Sequence, residues 1–560
     1  MARLTGLLLV TASAAALAAP TLDSISLPGI SGSTGARFNT GITSDALGQS
    51  VAIIGDINND GTDDLMIGAP ATENVPNSPG RAYVVFGRQG GFSSPLQLGS
   101  LNGSNGFVLL DTAYQDFMLG WRSAAAGDVN GDGVDDLLVS VPYAAVGGRT
   151  LAGKVFVVYG RKGVAGGAGS FGASLELSTM SSADGFEIDG AVHDDRIGFA
   201  AAGAGDFNGD GYDDIIIGPG AAGDTAHDDV YIVFGGPAIT GPISIAGIPA
   251  NGRGFKLVGP VDAEGNPPPG AAAIGSVVAG IGDVNDDGHD DVAIGAPNLP
   301  IDNSLYPQGK TWVVFGRVGC TTCQLDLATL GGGDGVQLDG STAGAASGSA
   351  LDGIGDINGD TIDDFIIGAP KEAAYAGGAY VIFGSGSLGS AKLGDMVTAG
   401  KAIHFTDNGY NTNAGAAVAG VGDVNGDGVP DFMVGIPGAE DSGESGPHGS
   451  AVVIFGRQGN SWSPTIPLTD SAALGGGMLL RGVASIDPAQ RGDMSDVMSV
   501  AGGGDINHDG RDDMLVGAPY ATLAPKENPD DPPTWIGAAY AVYGRNGAPD
   551  LIFADGFDGD

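Results

Sequence analysis

One acidic phrase recurs seven times along the chain, about every 75 residues, and a repeat of that length restricts the fold before any other consideration. The first copy reads Asp56-Ile57-Asn58-Asn59-Asp60-Gly61-Thr62-Asp63-Asp64, and the others start at Asp128, Asp206, Asp283, Asp356, Asp423 and Asp505. The flanking text repeats with it. A small-residue apolar segment precedes each copy, as in Gly48 to Ile54. A run such as Leu65 to Pro70 follows, and then a third run ends in Phe-Gly or Tyr-Gly, as at Tyr83 to Gly87 and Tyr540 to Gly544. Short runs rich in Val, Ile, Tyr and Phe, bounded by Gly, Pro or Asp, read as strands. No helical apolar period runs for three turns after the first residues.

A fourth strand per unit follows the pattern Gly-Phe-x-Leu-x-Gly. It is headed by Phe107, Phe186 and Phe255, with weaker forms at Val336, Ile403 and Met478. The count reaches seven only if Ala36 to Thr40 is included, ahead of the first acidic phrase. The expected fold is therefore all-β: a seven-bladed β-propeller of four-stranded antiparallel blades, its ring closed by the N-terminal strand. That makes 36–545 one domain, with 19–35 as a lead and 546–560 as a tail.

The acidic phrase has oxygen donors at positions 1, 3, 5 and 9, and the position 7 carbonyl can add another. Calcium takes six to eight oxygens in flexible geometry, which a tight loop of this kind supplies. The expected ligand sets are Asp56, Asn58, Asp60, Thr62 and Asp64; Asp128, Asn130, Asp132, Val134 and Asp136; and Asp206, Asn208, Asp210, Tyr212 and Asp214. They continue as Asp283, Asn285, Asp287, His289 and Asp291; Asp356, Asn358, Asp360, Ile362 and Asp364; Asp423, Asn425, Asp427, Val429 and Asp431; and Asp505, Asn507, Asp509, Arg511 and Asp513. An EF-hand fails on a specific point, since its loop needs Glu at position 12. Here position 12 is apolar in all seven copies, from Ile67 to Val516.

Asp-Asn-Gly clusters also make plain hairpin turns. Seven copies with the same donors, and Asp at position 9, which a turn does not demand, favour about seven calcium ions instead. Two copies depart mildly: Thr361 replaces the position 6 glycine, and Pro430 stands at position 8, outside the ligand set. The charge agrees. Acids outnumber bases 66 to 23, a formal net charge of −43, and positions 1, 5, 8 and 9 of the loops carry 27 of those acids. Such self-repulsion calls for bound cations and argues against nucleic acid as a partner.

Gly-Asp-Ile-Asn-Asn-Asp-Gly, Gly68-Ala69-Pro70 and Phe86-Gly87 together resemble the FG-GAP repeat of the integrin α head, over about 510 residues. The regularity of the loops resembles a bacterial, secreted form of that repeat. The resemblance implies metal loops on one face of the disc and a partner-binding face opposite, built from the loops after each Gly-Ala-Pro. Mapped here, these are Pro142 to Gly153, Asn298 to Gly309, Gly438 to Gly449 and Tyr520 to Gly537, which hold Tyr143, Tyr306, Glu440, Asp441, Tyr520 and Trp535. Aromatic anchors and ordinary loop packing both account for them.

Residues 1–18 read as an export signal, with Arg3, an apolar run and an Ala16-Leu17-Ala18 cleavage pattern. No membrane span is expected in the mature chain, so the protein is secreted or at the cell surface. Cys320 and Cys323 are expected to form a local disulfide. Arg491-Gly492-Asp493 falls where other repeats place an ordinary blade connection, and residues 550–558 resemble a C-terminal export tag. Six scattered histidines and the lack of a known catalytic motif point to a non-enzymatic adhesion or recognition module for an extracellular protein or glycan. The alternative is a secreted polysaccharide lyase or hydrolase with a calcium-assisted site.

Overall fold

A computed structural model describes residues 22–42, 45–70, 80–112, 118–163, 168–220, 229–237, 239–261, 274–301, 306–319, 323–439, 448–459, 462–482, 499–521 and 537–545. The export signal, the Arg491-Gly492-Asp493 tripeptide and the C-terminal tail lie outside them. Seven separate sheets radiate from one axis. Their innermost strands, such as Val51–Ile53, Ser123–Gly127 and Ser499–Gly504, neighbour one another around a closed ring. The chain is a seven-bladed β-propeller.

Each blade has five strands rather than the expected four. Four are antiparallel and run outward from the axis. The fifth is short, pairs in parallel with the fourth, and is lent by the next blade. In the first blade, Ser174–Glu176 pairs with Gly106–Leu110 in this way. Its sequence, Ser-Leu-Glu, carries no turn or periodicity signal of its own, because two or three residues are too few to show an alternation.

The same logic governs closure. The strands β1 (Asp23–Ser26) and β2 (Gly35–Asn39) are the missing connection and fourth strand of the last blade. β2 pairs antiparallel with Ala538–Val542, as Gly35 opposite Val542 and Phe38 opposite Ala539. β1 pairs in parallel with Gly477–Arg481 of the sixth blade. Residues 23–26, which sequence reading placed in a lead before the propeller, thus hydrogen-bond to its rim. Residues 23–39 are thus fastened to two blades, and the third strand of the last blade has no free edge there.

Burial follows from this arrangement. Second and third strands lie between neighbouring blades on both faces, so Leu65–Ala69 and Lys154–Val158 are buried at every position. A strand covered on both sides reads as a continuous apolar run. Fourth strands at the rim alternate instead, as in Gly106–Leu110. Innermost strands are rich in Ala and Gly because seven of them converge. A Cβ on Gly420 would run into the Gly353 carbonyl of the adjacent blade. The core is seven apolar clusters, each shared by two adjacent blades; one joins Met66, Val84 and Phe107 to Leu137, Val139 and Phe156.

Closure and channel each yield an expected outcome. Phe38 of β2 is fully buried between the last and first blades and packs edge-on against Phe92, with ring centroids 5.6 Å apart. Phe38→Ala should cost about 3–5 kcal/mol in equilibrium denaturant unfolding. Asp352, on the innermost strand Ala350–Gly355, accepts from the Gly420 N–H at 2.9 Å, and burial pushes its carboxyl up to about 7. A raised acid pKa contributes stability at low pH that is lost as pH rises toward the folded value. Asp352→Asn should therefore melt higher than the wild type, by a margin that grows from about pH 4 to about pH 7 and then levels off.

Candidate metal centres

Every acidic loop joins the first and second strands of its blade, so all seven lie on one face of the disc. Position 1 organises the turn. Asp56 accepts the N–H of Asp60 at 2.9 Å on one oxygen and that of Gly61 at 2.7 Å on the other. Asp60 accepts the Thr62 N–H at 3.1 Å. The same three bonds recur in the other six loops, as at Asp128, Asp206 and Asp505.

Position 6 takes a left-handed backbone, with φ of +91° at Gly61 and +86° at Gly510. Thr361 is forced into the same conformation at +75°, which a β-branched residue adopts only at a cost. Position 4 is left-handed as well, at Asn59, Asp286 and His508. That requirement explains the Gly, Asn and Asp found there, and the spacing of donors does not reveal it.

The ninth residue has a duty beyond any metal. Asp64 is fully buried and accepts the N–H of Gly87, the glycine of Phe-Gly, at 2.8 Å. Equivalent bonds of 2.8–2.9 Å run from Gly160, Gly235, Gly316, Gly384, Gly456 and Gly544 to Asp136, Asp214, Asp291, Asp364, Asp431 and Asp513. The second oxygen of Asp136 accepts the Val129 N–H at 3.0 Å. Contrary to expectation, the fold itself demands Asp at position 9, because it ties the loop to the end of the third strand. Burial, reinforced by the like-charged residues at positions 1 and 5, pushes the carboxyls of Asp136, Asp214, Asp291, Asp364, Asp431 and Asp513 up to about 8, and raises Asp64 as well.

The eighth residue proves to be the staple between blades. Asp135 accepts the Asp56 N–H of the preceding blade at 2.9 Å, and Asp63 closes the ring by accepting from Asp505 at 2.8 Å. Asp213, Asp290, Asp363 and Asp512 do the same for Asp128, Asp206, Asp283 and Asp423. The glycine before each loop makes room: a Cβ on Gly55, at φ +69°, would sit inside the Asp135 carboxylate. Proline at 430 cannot accept such a bond, so the step from the fifth to the sixth blade lacks it. Pro430 is a structural departure rather than a neutral one.

Among the described residues, no three Asp, Glu, His or Cys side chains stand gathered as a finished metal cage. What the loops hold is a set of oxygens around a turn, two of them left over. The buried Oδ1 atoms of Asn58 and Asn285, at position 3, have no hydrogen-bond partner, while Asn58 Nδ2 donates to Asp64 at 3.3 Å. A buried carbonyl oxygen without a donor is costly and fits a hard cation.

Of the loop residues expected on the opposite face, Tyr143 packs edge-on against Trp121 and under Arg196, whereas Tyr306 is 67% exposed. Glu440, Asp441 and Trp535 lie outside the described residues, as does Cys320; Cys323 is disulfide-bonded. One polar cluster on that face was not legible in the sequence. Glu372 accepts from Tyr380 at 2.9 Å, from His404 Nε2 at 3.0 Å and from Thr342, and Tyr380 stacks on His404 at 4.2 Å. Burial raises the Glu372 carboxyl, but these bonds outweigh it and hold it below its usual range. The cluster braces a turn in which Ala373, Ala374 and Tyr375 are all left-handed.

The family model for the FG-GAP repeat matches residues 47–85, 120–158, 275–314 and 497–542. The chain carries FG-GAP repeats. The four matches cover the first three strands of blades one, two, four and seven; blades three, five and six have the same strands and loop bonds with weaker wording. The FG-GAP chain is 29% identical to mouse integrin alpha-7 over 34% of its own length and 13% of the relative's. It is 28% identical to Drosophila melanogaster integrin alpha-PS2 over 40% and 15%. Bovine phosphatidylinositol-glycan-specific phospholipase D matches at 29% over 34% and 21%. The chain thus spans no more than about a fifth of the length of these relatives.

The interblade staple is testable. Asp135→Ala, which orphans the Asp56 N–H, should lower unfolding free energy by about 1–3 kcal/mol. Asp135→Asn keeps an acceptor and should retain most of it, as read by chemical denaturation at fixed calcium.

Proposed function

We propose that the protein is a calcium-binding extracellular recognition module whose acidic loops are structural metal sites. The partner, a protein or glycan, docks on the face away from those loops. The observation that carries the calcium reading is the pair of buried, unpartnered Asn58 and Asn285 oxygens inside loops that already concentrate three carboxylates. A divalent cation there would satisfy the oxygen and counter the burial and repulsion that push the position 9 carboxyls up. Asp or Asn at positions 1, 3, 5 and 9, with the position 7 carbonyl, would hold it. Seven ions would return fourteen positive charges to a chain at −43.

The recognition reading rests on the integrin α relatives and on the aromatic side chains the disc presents away from the metal loops: Tyr306, Tyr410 at 85% exposure and Tyr375 at 50%. Exposed tyrosines are common anchors for protein and glycan partners. The lyase or hydrolase alternative is not adopted, since the acid–histidine–tyrosine cluster found on that face among the described residues is spent on bracing a loop.

Metal analysis of the purified protein should find about seven calcium ions per chain. Each site would add about 2.7 kcal/mol of stability at a calcium concentration a hundred times its Kd, so chelation should lower the melting temperature steeply. Zero or one ion, with melting unchanged by chelator, would sink the calcium reading and leave the loops as turns. The partner is sought separately, by screening the calcium-loaded protein against extracellular proteins and glycans. Loss of binding in a Tyr375→Ala, Tyr410→Ala variant would place the partner on the face away from the acidic loops, and retained binding would remove it from there.

A further inference from the structure

The axial channel widens, at the end remote from the acidic loops, into a cavity of about 210 Å³. It is lined by the first residues of the innermost strands of all seven blades, chiefly Ala, Val and Ser, with Gln49 beside them. One lining residue is charged: Arg122. Counting back five residues from the glycine that precedes each loop, the other blades place Ser50, Ala200, Val277, Ala350, Ala417 and Ser499 there. The second blade alone brings a cation to this ring.

The guanidinium is fixed and incompletely used. Its Nε donates to the Phe199 carbonyl at 3.1 Å, and the Trp121 indole N–H donates to the same oxygen at 3.2 Å. Trp121 in turn packs against Phe199, with centroids 5.2 Å apart. The two terminal nitrogens of Arg122 make no hydrogen bond and no ion pair among the described residues. The acid in the channel wall, Asp352, is two residues further along its strand than the matching Ala350, and is bonded to the Gly420 N–H. Burial depresses the Arg122 pKa with no carboxylate to offset it, yet a guanidinium stays charged under any physiological condition. Arg122 is half-buried and has no carboxylate partner among the described residues, so a bound anion would supply the missing counter-charge.

We propose that this cavity binds a small carboxylate anion, gripped by the free fork of Arg122. Guanidinium matches carboxylate geometry through two parallel N–H···O bonds, and Gln49, Ser349 and Ser499 line the same cavity. The net charge of −43 repels anions at long range, so a saturable anion site on this chain needs a local cation. The cavity admits an acid of a few carbon atoms and excludes a polymer. This inference does not depend on the loops holding calcium.

The test uses the full chain at fixed calcium, titrated with sodium acetate or sodium succinate against sodium chloride at matched ionic strength. A saturable rise in melting temperature is expected with the carboxylates, lost in Arg122→Gln, weakened in Arg122→Lys and unchanged in Lys401→Gln. Should Arg122→Gln not fold, saturation-transfer NMR of acetate on the wild type gives an independent readout, with transfer expected and suppressed by succinate. An equal rise with chloride, a rise that survives in Arg122→Gln, or absence of saturable binding by both methods would overturn the proposal.

Discussion

The two consecutive aspartates that end each acidic loop reach different partners, and the propeller hangs on that division. Position 9 is pulled into its own blade by the glycine N–H that ends the third strand, as Gly87 does to Asp64. Position 8 is pulled into the preceding blade by a loop N–H, as Asp56 does to Asp135. One dipeptide therefore sets both the shape of a blade and its angle to the next. Charge-assisted bonds to backbone N–H groups are among the stronger polar contacts available to a fold, and here they form a ring broken only at Pro430. The Phe-Gly and Asp-Asp signatures, some twenty residues apart, are two ends of one contact.

That ring is costly in charge. Carboxylates at positions 1, 5, 8 and 9 crowd one face, and burial and mutual repulsion raise those at 8 and 9. Apolar contact between blades holds them there: each pair of neighbours shares a cluster of buried side chains, and β1 and β2, from the other end of the chain, complete the clusters on the two sides of the last blade. The two ends of the channel are thus chemically opposite. One is ringed by acids, and the other is small and neutral but for Arg122.

Much of this was legible in the text of the chain. Seven acidic phrases, continuous apolar runs for covered strands and Gly-Phe-x-Leu-x-Gly for rim strands suffice to count blades and to assign Ala36 to Thr40 to the last one. The fifth strands were not legible, because Leu96–Gln97 or Ile243–Ser244 are strands only by virtue of the edge they meet. Position 8 was also misjudged: a residue outside the ligand set looks idle until its carboxylate is seen bonded to another blade.

The sequence by itself determined the repeat, the strand periodicity, the loop donors and the closure, since each depends on residues close together or on an exact recurrence. Only the tertiary structure decided what contacts join residues about eighty positions apart. It turned position 8 into a staple, gave Glu372, Tyr380 and His404 a common purpose, and isolated Arg122 in a neutral ring. Those properties belong to neighbours that the ring brings together, and no local pattern in the chain encodes them.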